Sequence, residues 1–246
     1  MTVNGVTSKR KRSRVVLAVL LCLLAGECLA QDLEPRRWSH LPNGLNVIGV
    51  GTGRTDGDIF FDPVLRIEDA TFELYGLGAS YVRTFEWFGK SSRVDVMVPY
   101  ANGRWEGLLD GEYASRRRNG LGDPHLRISM NLYGAPALSG KEYVEYRRNN
   151  PVNTTVGAAL AVTLPLGQYN RDWLINLGAN RYVIRPQIGV LHQRHNWQFE
   201  ATGSVFLFQD NDEFLGNAVL AQDSLCFIQG HVIHALKRGW WVSLSG

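Results

Sequence analysis

His231 and His234 are the pair best suited by type to share a metal ion, and their spacing works against it. On a strand, residues three apart point to opposite faces, so the two imidazoles cannot meet at one ion. Ser204 and His231 could meet across neighbouring strands as nucleophile and base, but no nucleophile elbow or oxyanion motif marks either one. Gly49, Gly51 and Gly53 lack the further glycine, at Arg54 or Asp56, that a dinucleotide fingerprint needs; they read as lining a narrow or bent stretch of wall. Asp56 with Asp58, or Asp210 with Asp212 and Glu213, could offer oxygens to calcium, yet no glycine sits where an EF-hand loop turns, and solvated loop acids are the plainer reading. No enzyme, cofactor or metal is expected.

What the sequence does carry is alternation. Val156, Ala158, Leu160, Val162 and Leu164 alternate with Thr155, Gly157, Ala159, Ala161 and Thr163, a period of two with one greasy face and one small or weakly polar face. Similar segments of about ten residues recur along the chain, the signature of an outer-membrane β-barrel.

The first thirty residues read as an address. Lys9, Arg10, Lys11, Arg12 and Arg14 form a basic region, Val15 to Ala25 an apolar core too short for a comfortable helical span, and Cys28-Leu29-Ala30 a cleavage site, expected after Ala30. Lipidation at Cys28 is the weaker alternative, because Glu27 stands where a lipobox wants a small residue; a twin-arginine signal lacks its following residues. Removing those five basic residues and Glu27 from the chain's 26 basic and 23 acidic residues leaves 21 and 22, a net charge of −1. The positive charge belongs to the leader, and composition gives no case for nucleic-acid binding. Cys226 alone remains afterwards, so no internal disulfide forms, and no apolar run reaches the length of a membrane helix.

Nine strands are expected: 45–55, 71–85, 93–100, 123–132, 154–165, 181–192, 197–208, 224–236 and 240 onward. Connections 56–70, 101–121, 166–180 and 209–223 are long; 88–91, 193–196 and 237–239 are tight, as extracellular loops and periplasmic turns should be. The long turn-side segment 133–153 is the exception, with room for a helical turn or two between Pro136 and Tyr146. Tyr75, Phe85, Trp87, Tyr100, Tyr182, Trp197, Phe199 and Trp240, with Trp241, fall near strand ends, where amphipathic rings would form two membrane-interface girdles.

The opposite faces put Asp95, Asp123, His125, Arg127, Asn131, Arg185, Gln187, Gln198, Glu200, Gln229 and His231 in the lumen, as a solute filter or as structural charge pairs. Phe206, Phe208 and Phe227 share that face and would suit aromatic solutes. Arg116-Arg117-Arg118, in the second long loop, could meet lipopolysaccharide phosphates or simply be solvated, and Cys226 reads as a small apolar residue on the lipid face.

Several short motifs point the same way: Phe61-Asp62-Pro63, Tyr81-Val82-Arg83-Thr84-Phe85, Pro99-Tyr100, Gly122-Asp123-Pro124 and the run Asn131 to Leu138. Pro165-Leu166-Gly167-Gln168-Tyr169, Asn176 to Arg181, Asp210-Asn211-Asp212 and Gln229-Gly230-His231 continue the pattern. Together, from about residue 36 to the end, they resemble the phenol meta-pathway degradation family of outer-membrane proteins. The resemblance implies a transporter-like barrel, often associated with uptake of aromatic hydrocarbons, of roughly a dozen strands. It brings no catalytic residues.

The expectation is therefore a cleaved signal peptide at 1–30 and an all-β, antiparallel up-and-down transmembrane barrel at 31–246, nine strands of a twelve-stranded parent. Barrels usually finish on a complete strand with a terminal aromatic, and this chain stops at Ser243-Leu244-Ser245-Gly246, so a C-terminally truncated product is expected. The function read from this is passive uptake of small solutes, phenolics among them, in the outer membrane. Lipid, lipopolysaccharide, the barrel-assembly machinery and a small solute are the expected partners. Two alternatives stay open: a soluble periplasmic β-sandwich that binds a ligand, and a plugged structural barrel that transports nothing.

Overall fold

The computed structural model describes residues 33–59 and 66–246. The expected signal peptide with Cys22 and Cys28, and the Phe61-Asp62-Pro63 motif, lie outside the described residues. The strands are β1 (Asn46–Ile59), β2 (Ile67–Trp87), β3 (Lys90–Leu109), β4 (Glu112–Leu121), β5 (His125–Tyr133), β6 (Val152–Thr163), β7 (Val183–Arg194), β8 (Trp197–Phe208), β9 (Asn211–Phe214), β10 (Ala218–Leu220), β11 (Leu225–Ala235) and β12 (Trp241–Ser245); one helix, α1, spans Gly140–Asn149. Nine of these pair antiparallel in one sheet, in the order β1-β2-β3-β5-β6-β7-β8-β11-β12, and the sheet curls through 289° into an open barrel.

The expected strand order holds, with one correction. Residues 101–121 are not a loop: β3 runs on to Leu109 and pairs with β4, which branches off the main path. Segment 209–223 likewise holds the small β9–β10 hairpin. The exceptional connection 133–153 folds into α1, with Glu142 in its first turn and Arg147 and Arg148 in its last, as the helix dipole favours.

Burial along the strands is inverted relative to a soluble protein. In β7, Arg185 and Gln187 are buried while Ile184 and Ile188 are exposed; in β8, Gln198, Glu200, Thr202 and Ser204 are buried while Trp197 and Phe199 are exposed. Ile228 on β11 is 82% exposed and its neighbour Gln229 1%. A soluble sandwich cannot leave its apolar faces open in this way, whereas hydrocarbon covers them. The apolar band ends where outward charges begin, at Arg54, Glu73 and Arg104. From Trp87 to Tyr75 along β2 is about 40 Å at ~3.3 Å per residue, or roughly 28 Å of height at a tilt of about 45°, close to the thickness of a bilayer core.

Candidate functional site

The lumen is filled from one end by residues 33–45, a stretch outside every strand. At the turn end, Thr84 of β2 anchors it: Thr84 Oγ1 donates to Pro42 O at 2.6 Å and accepts from Leu45 N–H at 2.9 Å. His40 Nε2–H donates to Pro136 O at 2.8 Å, and its ring meets Tyr143 and Tyr146 of α1 edge-on. Tyr143 Oη donates to His40 O at 2.9 Å, so α1 and the segment close this end together.

Further in, Trp38 is 1% exposed and donates from Nε1 to Thr202 Oγ1 at 2.8 Å. Its indole occupies the space over Gly157 and Gly189, paired neighbours on β6 and β7, where any side chain would overlap it. The small inward face of β6 is therefore the wall of an indole niche.

Beyond the indole lies an ionic cluster. Arg37 N–H donates to Glu200 Oε1 at 2.9 Å; its guanidinium reaches Asp95 Oδ2 at 3.2 Å and Ser129 Oγ at 3.1 Å. Glu34 pairs with Arg127, and its Oε1 stands 4.0 Å from Arg185. Its backbone N–H donates to Gln229 Oε1 at 3.3 Å. Residues from β3, β5, β7, β8 and β11 thus converge on the side chains and backbone N–H groups of Glu34, Arg37 and Trp38.

Register places the expected lumen residues as follows. Asp95, Arg127, Asn131, Arg185, Gln187, Gln198, Glu200, Gln229 and His231 lie on the inward face. Most of those at the segment's level are taken up by it rather than by each other. His125 is exposed and bonded to Thr163 Oγ1 at 2.8 Å. Asp123 is a correction: it stands before β5, where Oδ1 accepts from Gly167 N–H at 2.8 Å and Oδ2 from Ala179 N–H at 2.7 Å. It pins loop 164–182 rather than lining a path. Phe206, Phe208 and Phe227 are inward, but Arg185 lies 4.4 Å from the Phe206 ring centroid and Arg181 4.8 Å from that of Phe208. Cations already cover those two rings.

The expected girdle residues point outward except Trp241, which pairs with Ala235 on the inward face of β11 and lies with its ring centroid 5.7 Å from the Arg36 guanidinium. Tyr75, Trp87, Tyr100, Tyr182, Trp197, Phe199 and Trp240 are exposed, and Phe85 is half-buried. Cys226 is outward and exposed beside Ile228. The arginine run lies in β4, paired so that Arg116 and Arg118 face inward with Trp105 and Gly103, and Arg117 outward. Nothing within 4 Å of Gly51 or Gly53 explains those glycines. Among the described residues no group of three or more His, Cys, Asp or Glu could hold a metal ion.

The motifs quoted from the sequence gather at two places. Thr84, Pro136 and Gln229 hydrogen-bond to the lumenal segment. Asp123, Gly167, Ala179 and Asn211 join the loops at the other end, where buried Asn211 donates to Tyr169 Oη at 2.8 Å and to Ala179 O at 3.2 Å.

No curated protein matches the chain. Among solved structures it is similar to an outer membrane channel from Pseudomonas putida F1, with a TM-score of 0.65 and 21% identity over 87% of this chain and 75% of that one. A family profile described as "Putative MetA-pathway of phenol degradation" matches residues 61–240. The likeness to that channel is one of fold, and the profile covers well over half of the sequence, so the chain belongs to that phenol-degradation family.

Proposed function

We propose that the protein is a passive outer-membrane channel for small solutes, aromatic ones among them, and that residues 33–45 hold it shut at rest. The carrying observation is the seating of that segment: one indole in a glycine-walled niche, and two residues, Glu34 and Arg37, whose side chains and backbone N–H groups together are tied to five strands. A lumen built only for stability would be filled by side chains of its own wall. Gln187 Nε2, Gln198 Oε1, Gln229 Nε2 and His231 Nε2 are buried without a protein partner, as suits a wet passage around the segment. The family's description supports phenolic solutes as the substrate class.

Export through a leader cut after Ala30, insertion by the barrel-assembly machinery and a surround of lipid and lipopolysaccharide complete the reading. With that cut the segment begins a few residues from the mature amino terminus. Solute flux into liposomes tests the channel: low flux for the wild type and a clear rise on deleting residues 33–41 are expected. If neither protein passes any small solute, the plugged structural barrel is the correct reading. Mass spectrometry of the outer-membrane form should find Gln31 first.

A further inference from the structure

Beyond the aromatic belt of Tyr75 and Tyr100, the long ends of β2 and β3 with β4 form a wall, and loop residues 172–175 fold over its inner side. Between them is a cavity of about 520 Å³, within the usual range for small-molecule sites. Its lining is largely apolar: Ile67, Ala70, Trp105, Leu109, Trp173 and Leu174, with Arg116 and Arg118 from β4. The two carboxylates at its rim already have cations, Glu106 with Arg104 and Asp172 with Arg171.

The two arginines have no such partner. Arg116 donates only to the carbonyl of Ser115 at 3.0 Å, and Arg118 to those of Ile175 and Arg117, at 3.1 and 3.0 Å. No carboxylate among the described residues lies within ion-pair distance of either. The Arg118 guanidinium is stacked 3.8 Å from the Trp173 ring centroid, which fixes its plane beside the cavity and leaves hydrogens to donate. Two uncompensated cations on an apolar, indole-walled cavity call for an anion with a flat apolar body.

We propose that this cavity binds small aromatic monocarboxylates, ring against Trp105 and carboxylate on Arg116 and Arg118, the latter held in place by Trp173. The proposal deepens the channel reading by naming a substrate class for its outer mouth, and it is tested without flux. Calorimetry on the detergent-solubilised protein compares 2-naphthoate with 2-naphthamide, a neutral ligand of the same shape. Saturable binding of naphthoate is expected, with the amide about tenfold weaker or worse, and a loss of about tenfold in Arg116→Gln. Arg116 donates only to its neighbour's backbone and not to the loop, so that variant keeps the loop's hydrogen bonds in place; Arg118→Gln should lose as much or more. Equal affinity for acid and amide, or no binding of either, overturns the proposal and leaves the flux experiment to judge the channel on its own.

Discussion

Trp38 Nε1 stands 2.8 Å from Thr202 Oγ1, so the largest fully buried side chain among the described residues is held by a residue 164 positions away on the barrel wall. The hydroxyl satisfies the one polar atom of an indole that is otherwise enclosed by Gly157 and Gly189. Removing the ring should therefore free the segment more than it harms the wall. Trp38→Ala is expected to cost about 3–5 kcal/mol of docking and to raise conductance in planar bilayers. Gly189→Val, which crowds the niche from the other side, should raise it too while the heat-modifiable gel shift of the folded barrel persists.

Glu34 is the anionic centre for Arg127 and Arg185, and each of these cations is mostly hidden from solvent. Glu34→Gln keeps the shape and removes the charge, leaving like charges facing one another at a cost of about 1–3 kcal/mol. Protease accessibility of residues 33–45 should increase. An unchanged cleavage rate would show that the indole alone holds the segment.

The turn end should respond to pH. Burial holds the His40 pKa below the ordinary 6.5, opposed by the bond to Pro136 and helped by nearby Arg147. Nδ1 is buried without a partner, so the neutral ring with Nε2–H is the form that fits. Neutral His40 stabilises docking fully above pH 6.5, and that contribution fades as pH falls below 6.5 toward the lowered value. Single-channel opening should become more frequent as pH falls below 6.5, and His40→Gln should flatten the dependence. A wild-type profile identical to that of the variant would exclude His40 as its source.

At the opposite end, Asp123 accepts two backbone hydrogens from loop 164–182. Asp123→Ala should loosen that loop by about 2 kcal/mol or more and speed amide hydrogen exchange at Gly167 and Ala179, with little change at Trp38. Equal protection in variant and wild type would show that Asn211 suffices as the pin.

The nine membrane strands were legible because lipid on one side and a polar interior on the other impose a period of two, as in Leu126, Ile128 and Met130 against Arg127 and Ser129. Above the membrane both faces of β3 and β4 meet water or loops, the hydrophobic contrast fades, and residues 101–121 read as a loop although they are strand. The lumenal segment escaped for a different reason. Its partners are Gly157 and Gly189, whose meaning is an absent side chain, and their pairing appears only once β6 and β7 are in register. A tryptophan between Arg37 and His40, ahead of the first strand, was the available signal. Likewise, Phe206 and Phe208 pointed inward as their parity requires, but the guanidiniums covering them come from positions that parity alone does not bring together.

The segment's contacts also set an order of events. Arg37 and Glu200 are 163 residues apart, and the Glu34–Gln229 bond spans 195. Contacts of that reach cannot form before the strands that carry them have curled together. The residues of this stretch that leave the ribosome first must settle last, so an assembling barrel passes through a stage that is walled but unstoppered, and the rate of that final docking limits how long the outer membrane is left open by each new copy.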